Sequence, residues 1–275
     1  MPERQDGNTI LAGRGARGKE RSMENMYHIG LDDSHGAKYA ILPGDPGRVE
    51  KIAQFLENPR FLGQNREYTT WIGQLAGEPV LVMSTGMGGP STAIGVEELY
   101  QTGVRTMIRV GTCGGMAEQV MGGDLVIANG AIRMEGTSKE YVDIAFPAVA
   151  DFQVTKALEQ AASDLGARAH LGIVQCKDSF YGQHSPGRMP CGKEREEKWA
   201  MWIKAGCLAS EMESAALYIV AQILGVRAGC VLNVIWNQER KKKGLPDPHC
   251  HDTAAAIRTA VRAVELLAEQ DKKNR

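Results

Sequence analysis

An arginine interrupts an apolar pattern that runs directly into glycines. The stretch IRVGTCGG, residues 108–115, carries Arg109 in its second position and Thr112 among the glycines. A buried guanidinium without an anion is costly, so Arg109 pairs either with a carboxylate of the chain or with a negatively charged ligand. Glycine N–H groups, a threonine hydroxyl and an arginine can together hold a phosphate. The spacing is not G-x-G-x-x-G, which disfavours NAD.

A second stretch with the residues of an anion site is PGDPGR, residues 43–48. Asp45 followed by Pro46 is typical of a helix cap and its first turn. The free N–H groups of that helix start, with Arg48 beside them, could bind an anion. The same residues also suit an ordinary strand-to-helix turn with a solvated arginine.

Two glutamates, Glu211 and Glu213, stand in the otherwise apolar entry to a helix, ASEMESAAL, residues 209–217. Buried carboxylates need partners. One of the two suits a helix cap, which is worth on the order of 1 kcal/mol. Two carboxylates in an apolar setting indicate recognition of hydroxyl groups.

Composition narrows the class of protein. The 275 residues are 43% hydrophobic with a formal net charge of −1, which gives no electrostatic reason to expect nucleic acid or a membrane surface as a partner. A small molecule is the expected partner. The six cysteines are scattered, without zinc-site spacing or the density of a disulfide scaffold, which fits the cytoplasm.

The elements that position these motifs alternate between strands and helices. A strand begins at Tyr39, EYTTWIGQLAGEPVLVMSTG reads as a hairpin, TMIRVG is a strand, and helices are predicted over about 91–101, 193–204 and 253–269. This order predicts a single α/β domain over residues 26–270, with a mixed, largely parallel central β-sheet flanked by helices. Residues 1–25 are polar and glycine-rich, lack the apolar core of a secretory signal, and are expected to be a disordered extension.

In this order and combination, the motifs resemble the nucleoside phosphorylase superfamily, and within it the enzymes that act on uridine. PGDPGRVEKIA, REYTTW, STGMGGPST, RVGTCGG, FPAVADF and SEMESA carry the resemblance, which runs from about residue 27 to residue 267. It implies the fold named above and the phosphorolysis of uridine to uracil and ribose 1-phosphate, in pyrimidine nucleoside salvage or catabolism, with deoxyuridine as a second candidate substrate. Phosphate is then a co-substrate, and no organic cofactor is required.

The resemblance also implies roles for individual residues. Phosphate binding falls to Gly44, Arg48, Arg109, Thr112 and, from a neighbouring subunit, Arg66. Ribose binding falls to Glu213, Met212 and, again from the neighbour, His28. Arg48, Arg109 and Glu213 carry the catalysis, and Arg109→Ala is expected to abolish it with the fold intact. Glu67 and Ser91 match positions that border a potassium site between subunits, and the implied assembly is a hexamer built as a trimer of dimers.

The base end matches the family less closely. Phe180 is expected to stack on the ring, Gln183 to bind the uracil edge, and Gly114 and Glu211 to complete the pocket. Similar enzymes carry an arginine two residues after that glutamine, where this chain has Ser185; Arg188 in GQHSPGRMP is the candidate replacement, and a surface arginine is the alternative. The late strand ends in VIWNQ, where purine-specific relatives place an aspartate; Asn237 cannot donate a catalytic proton.

Three other functions stay open at this point. A purine nucleoside phosphorylase would prefer inosine, and a nucleosidase would cleave without phosphate. A non-catalytic nucleoside-binding protein would be expected to lose the phosphate arginines, yet Arg48, Arg66 and Arg109 are all present.

Overall fold

Short apolar strands make the frame of the protein, and the computed structural model describes residues 25–274, so the predicted N-terminal extension lies outside it except for its last residue. The strands are β1 (Tyr39–Pro43), β2 (Glu57–Asn65), β3 (Tyr68–Leu75), β4 (Glu78–Met83), β5 (Thr106–Gly115), β6 (Leu125–Met134), β7 (Ala148–Val149), β8 (Ala169–Lys177), β9 (Ala209–Glu211) and β10 (Arg227–Asn237). The helices are α1 (Val49–Ala53), α2 (Gly89–Gln101), α3 (Thr137–Tyr141), α4 (Phe152–Asp164), α5 (Phe180–His184), α6 (Gly192–Lys204), α7 (Ser214–Ile223), α8 (Gln238–Lys242) and α9 (Ala254–Lys273).

The sheet is mixed, as predicted, and part of it closes on itself. Strands β4, β1, β5 and β10 are parallel neighbours, and β6 and β8 form a second parallel pair. Because β10 pairs with both β5 and β6, and β9 pairs with both β8 and β5, the strands β5, β10, β6, β8 and β9 form a ring. The antiparallel strands β3 and β2 extend the sheet beyond β4.

Helices cover both faces of this sheet, and apolar side chains fill the space between. On one face α2 and α7 pack over the core, and α7 is buried from Ser214 to Ala221. On the other face α1, α4 and α9 supply the second apolar cluster. Residues 25–274 contain no helix that is both long and apolar enough to cross a bilayer.

Most of the predicted elements are confirmed, and the differences have local causes. The hairpin is β3 and β4, with Ala76 and Gly77 at positive φ in its turn. Strand β2 was not predicted, because ENPRFLGQN has no regular apolar alternation and its side chains are mostly exposed. Residues 209–211 were read as the entry to a helix but form β9, which is too short to show a period.

Candidate active site

The candidate site is a cavity of about 820 Å³ at the carboxyl ends of the parallel strands. This is the edge where open α/β sheets bind ligands. Gly44 follows β1, Thr112 and Gly114 lie near the carboxyl end of β5, and Trp236 lies near the end of β10. Ten predicted site residues line it together: Gly44, Arg48, Glu67, Arg109, Thr112, Gly114, Phe180, Glu211, Met212 and Glu213.

Arg109 is buried and holds two carboxylates, so one of the two kinds of partner that its sequence setting allowed is present within the chain. Its Nε donates to Glu211 Oε2 over 3.2 Å, and its Nη2 donates to Glu213 Oε2. Gly111 leaves room for the guanidinium, because a Cβ there would lie 2.6 Å from Nη2. Burial disfavours the charge, but the attraction of Glu213 and Glu211 outweighs burial and raises the pKa of Arg109. Arg109 is therefore a counterion within the fold as well as a candidate ligand for an anion.

Glu211 lines the cavity with its carboxylate already bonded within the protein, and its contact with the base stays a prediction. Besides Arg109, its carboxylate accepts from the Glu213 and Ser214 N–H groups at 2.9 and 3.1 Å and from the Ser214 hydroxyl at 2.5 Å. Burial opposes its ionisation, yet Arg109 and these donors lower the pKa of Glu211. Glu211 caps α7 and positions Arg109 at the edge of the cavity, rather than offering free oxygens to a ligand.

Glu213 differs from Glu211 in its surroundings. Its Oε1 accepts from the Gly88 N–H over 2.6 Å, just before α2, and its Oε2 faces Arg109. Burial raises the pKa of Glu213; Arg109 opposes the rise and the charge of Glu211 adds to it. With fewer bonds than Glu211, Glu213 keeps lone pairs that can accept from hydroxyl groups in the cavity.

Two guanidinium nitrogens at one end of the cavity have no partner. Nη1 of Arg48 and Nη1 of Arg109 are both buried, and neither has a hydrogen-bond partner among residues 25–274. A Cβ built on Gly44 would lie 3.7 Å from Arg109 Nη1, so this backbone approaches the same point. Burial and the neighbouring charge of Arg109 lower the pKa of Arg48. Two like charges with unused buried donors are the features of a site that takes an anion.

The residues around PGDPGR form the predicted cap. The Asp45 carboxylate accepts from the Gly47 N–H over 2.9 Å, and Pro46–Arg48 makes a single 3-10 turn that leads into α1. The Asp45 carboxylate lies 3.7 Å from Arg48 Nε. This cap holds the Arg48 side chain beside the cavity, where it is only 17% exposed.

At the other end of the cavity, Arg188 is not among the lining residues. Arg188 is exposed on the turn Pro186–Arg188, its guanidinium lies 5.9 Å from the centre of the Tyr181 ring, and it does not line the cavity. Phe180 lines the cavity but is half exposed. Gln183 lines an adjoining cavity of about 570 Å³, where its amide oxygen lies 2.8 Å from the Ser210 hydroxyl.

Several lining residues were not predicted. Lys177, at the end of β8, lines both cavities, as does His184. Trp236 and His184 continue an aromatic row from Phe180, with ring centres 4.3 and 5.9 Å apart. A cation at the end of the apolar run GIVQCK is the same signal that singled out Arg109.

Asn237 has a structural role. Its Nδ2 donates to the carbonyls of Ala117 and Val120 at 2.8 Å, and its Oδ1 accepts from the first N–H groups of α8. It is buried and does not line the cavity. The position therefore offers no acid to a bound ligand.

His28 contacts Asn65, the residue before Arg66, and neither His28 nor Arg66 lines the cavity of its own chain. The Asn65 amide donates to the His28 carbonyl over 2.8 Å, and Arg66 follows at the exposed turn between β2 and β3 with a φ of 52°. A positive φ is strained for a non-glycine residue, and residues with such strain cluster at functional sites. His28 Nδ1 lies 2.6 Å from the buried carboxylate of Glu98, a partner that sequence reasoning missed and one that leaves Nε2 for other contacts.

Glu67 and Ser91 flank Gly86. A Cβ built on that glycine would lie 2.9 Å from Glu67 Cγ and 3.3 Å from Ser91 Oγ. Both supply oxygen, the ligand type of hard cations. The described part of the chain has no cluster of three or more His, Cys, Asp or Glu residues with metal-site geometry, and the potassium site stays a prediction.

Comparisons with known proteins find matches over most of the chain. A family model described as Phosphorylase superfamily matches residues 38–269. The chain is 59% identical over 250 residues to a uridine phosphorylase of Treponema pallidum, covering 91% of this chain and 97% of that protein. It is 40% identical to a uridine phosphorylase of Escherichia coli, covering 90% and 99%. A guanosine phosphorylase of Halorubrum lacusprofundi is 36% identical, covering 89% and 100%.

Proposed function

The chain belongs to the phosphorylase superfamily, and we propose that it is a pentosyltransferase that cleaves uridine with inorganic phosphate to uracil and ribose 1-phosphate. The observation that carries the proposal is the pair of unpaired, buried Nη1 atoms of Arg48 and Arg109 at one end of the cavity. Relatives named uridine phosphorylase that match nearly the full length of the chain support the choice of nucleoside.

Phosphate would sit at the arginine end. Arg48 and Arg109 donate to its oxygens, with the Thr112 hydroxyl and the backbone at Gly44 beside them. One phosphate oxygen then forms a bond to the anomeric carbon of the ribose as the bond from that carbon to the base nitrogen breaks. The protein contributes mainly by holding the two reactants in line and by placing charge where it develops.

The ribose would lie over Glu213 and Met212. The Glu213 carboxylate accepts from the sugar hydroxyls, and because the Gly88 N–H and Arg109 fix that carboxylate, the sugar and the phosphate are positioned by one connected group. The sugar carries positive charge in the transition state, and the anions on either side of it stabilise that charge. The departing base keeps the electron pair of the broken bond and afterwards takes a proton from water.

A complete site would need a second subunit. Arg66 and His28 do not line their own cavity. The Asn65 amide donates to the His28 carbonyl and Arg66 is the next residue, so both could enter a neighbour's cavity together. Exposed apolar side chains on the same molecule, Tyr27 at 77% and Met87 at 86%, suit a surface that another subunit covers. The proposed assembly is the hexamer of the family, a trimer of dimers.

The proposal includes a potassium ion between subunits and a place in the cell. Glu67 and Ser91 would hold the ion together with the same residues of a neighbour, and the ion would balance carboxylate charge at the interface. Phosphate is the co-substrate, and no organic cofactor takes part. The six cysteines are free, which supports a cytoplasmic enzyme of nucleoside salvage.

One assay tests the proposal against its rivals. Purified protein is incubated with uridine and with inosine, each with and without phosphate, and release of the base is followed. Uracil release that depends on phosphate, with little release from inosine, is expected. Release of the base without phosphate would indicate a nucleosidase, and a preference for inosine would indicate an enzyme that acts on purine nucleosides. No release from either nucleoside would indicate a binding protein. Each of these outcomes refutes the proposal.

A further inference from the structure

The buried ammonium of Lys177 has only part of the partners it needs. Lys177 is 6% exposed, and its Nζ donates to the Ser210 hydroxyl over 2.6 Å. No carboxylate oxygen of residues 25–274 lies within 4.0 Å of it. An ammonium group has three N–H donors, so two of them have no partner within the described chain. A buried charge with unused donors indicates a ligand.

The position of Lys177 indicates which part of the ligand it meets. Lys177 lines the main cavity together with Phe180 and His184, while Arg48 and Gly44 line the phosphate end. It also lines the adjoining cavity that contains Gln183. Lys177 therefore stands at the end of the site assigned to the base, where the predicted cation, Arg188, is absent from the lining.

A short hydrogen-bonded chain links Lys177 to the residue expected to read the base. Ser210 Oγ accepts from Lys177 and lies 2.8 Å from the amide oxygens of both Gln175 and Gln183. Since a hydroxyl has one proton, Ser210 donates it to one of these two amides. Lys177 and Gln183 thus belong to one polar group, with the Lys177 donors deep in it and the Gln183 amide at its outer end.

Burial and nearby carboxylates act in opposite directions on the pKa of Lys177. Burial lowers the pKa of Lys177, and the charges of Glu211 and Glu213 oppose that change from beyond contact distance. The lysine stays close to these carboxylates without being neutralised by either. A negative charge that develops on the ligand is then met by a donor that needs no reorganisation.

Building on the function proposed above, we propose that Lys177 binds a carbonyl oxygen of the pyrimidine ring and stabilises the negative charge on the departing base. The bond between the anomeric carbon and the base nitrogen breaks with its electron pair going to the base, and the phosphate oxygen bonds to the anomeric carbon. Lys177 keeps its proton and donates a hydrogen bond throughout. Water afterwards protonates the base nitrogen.

The test compares Lys177→Met on uridine and on 5-fluorouridine, whose base is the more stable anion. Loss of one such donor typically lowers the rate about 100- to 1000-fold, and we expect a loss in that range for uridine. The loss for 5-fluorouridine is expected to be clearly smaller, because that base depends less on the ammonium. The KM for phosphate should stay unchanged, and Lys177→Arg should recover part of the rate.

Controls separate this inference from folding and from the proposed function. Lys204→Met, at the exposed end of α6, should change neither substrate. Urea unfolding checks that Lys177→Met is folded. If that variant is unfolded, Lys177→Gln, which keeps a hydrogen-bond donor without the charge, is used in its place. Wild-type protein that fails to release uracil refutes the proposed function. If the wild type is active and the rate of Lys177→Met on uridine lies within about threefold of the wild-type rate, the inference is refuted and the proposed function stands. Equal losses of rate on both nucleosides refute it in the same way.

Discussion

The two arginines at the phosphate end should respond very differently to removal, although both were predicted to bind the same anion. Arg48 has one weak ion pair, 3.7 Å from an Asp45 carboxylate that is itself 59% exposed. Such a pair contributes less than about 1 kcal/mol to folding. Arg109 holds the buried carboxylates of Glu211 and Glu213. Removing one partner from a buried ion pair costs about 3 to 5 kcal/mol.

Arg48→Met should therefore damage phosphate binding and leave the fold intact. Loss of a charged donor to a buried anion costs about 2 to 4 kcal/mol, which corresponds to a roughly 30- to 700-fold rise in the KM for phosphate. Arg109→Met should lose activity and also about 3 to 5 kcal/mol of unfolding free energy. This replaces the expectation that the fold would survive the loss of Arg109, because its two carboxylates would remain buried without a counterion.

Two measurements check this pair. Initial rates of uracil formation are recorded against phosphate concentration at saturating uridine, and the free energy of unfolding is measured in urea. Arg258→Met, on the exposed side of α9, is the control and should change neither. A KM for phosphate within about threefold of wild type in Arg48→Met would remove Arg48 from the phosphate site. Unchanged urea unfolding of Arg109→Met would show that Glu211 and Glu213 do not depend on Arg109.

Two further predictions concern the rest of the fold. Arg133 is buried and donates to the Ser138 hydroxyl and to four carbonyls of residues 138–146 at 2.5 to 2.9 Å. Arg133→Met should therefore lower the free energy of unfolding by about 2 to 4 kcal/mol. Arg262→Met, which loses only surface partners, should lower it by less than about 1 kcal/mol, and equal losses in the two variants would contradict this account. Exposed Cys191 should react with a thiol reagent in the native protein, whereas buried Cys207, whose pKa burial raises to about 12, should react only after unfolding. Mass spectrometry locates the label, and early labelling of Cys207 would contradict its burial.

The sequence predicted the local parts of the structure well. The hairpin, the alternation of strands and helices, and the cap at Asp45 depend on residues close together in the chain, and all three are confirmed. The gathering of Arg109, Glu211 and Glu213 was predicted only as a shared site, because their ion pairs join residues 102 and 104 positions apart. No periodicity shows which carboxylate reaches which nitrogen.

The base end was harder to predict for a related reason. Arg188 was chosen because it stands close in sequence to the place where similar enzymes carry an arginine. Arg188 is exposed on the turn Pro186–Arg188 and does not line the cavity, whereas Lys177 lines it from the end of β8. A charge within a strand is fixed by the register of the sheet, and that register is set by neighbours that lie far away in the sequence.

The three residues of β9 close the ring of strands, and this has a consequence for how the protein folds. Contacts between distant parts of a chain form slowly, because closing the loop costs conformational entropy before the contact stabilises the structure. β9 must find β5 from about 100 residues away, and it carries Glu211, the counterion of Arg109. The strand pairing that closes the ring is therefore also the pairing that brings Glu211 to Arg109. A complete anion site requires the closed ring, because Arg109 has both of its carboxylate partners only when β9 lies beside β5.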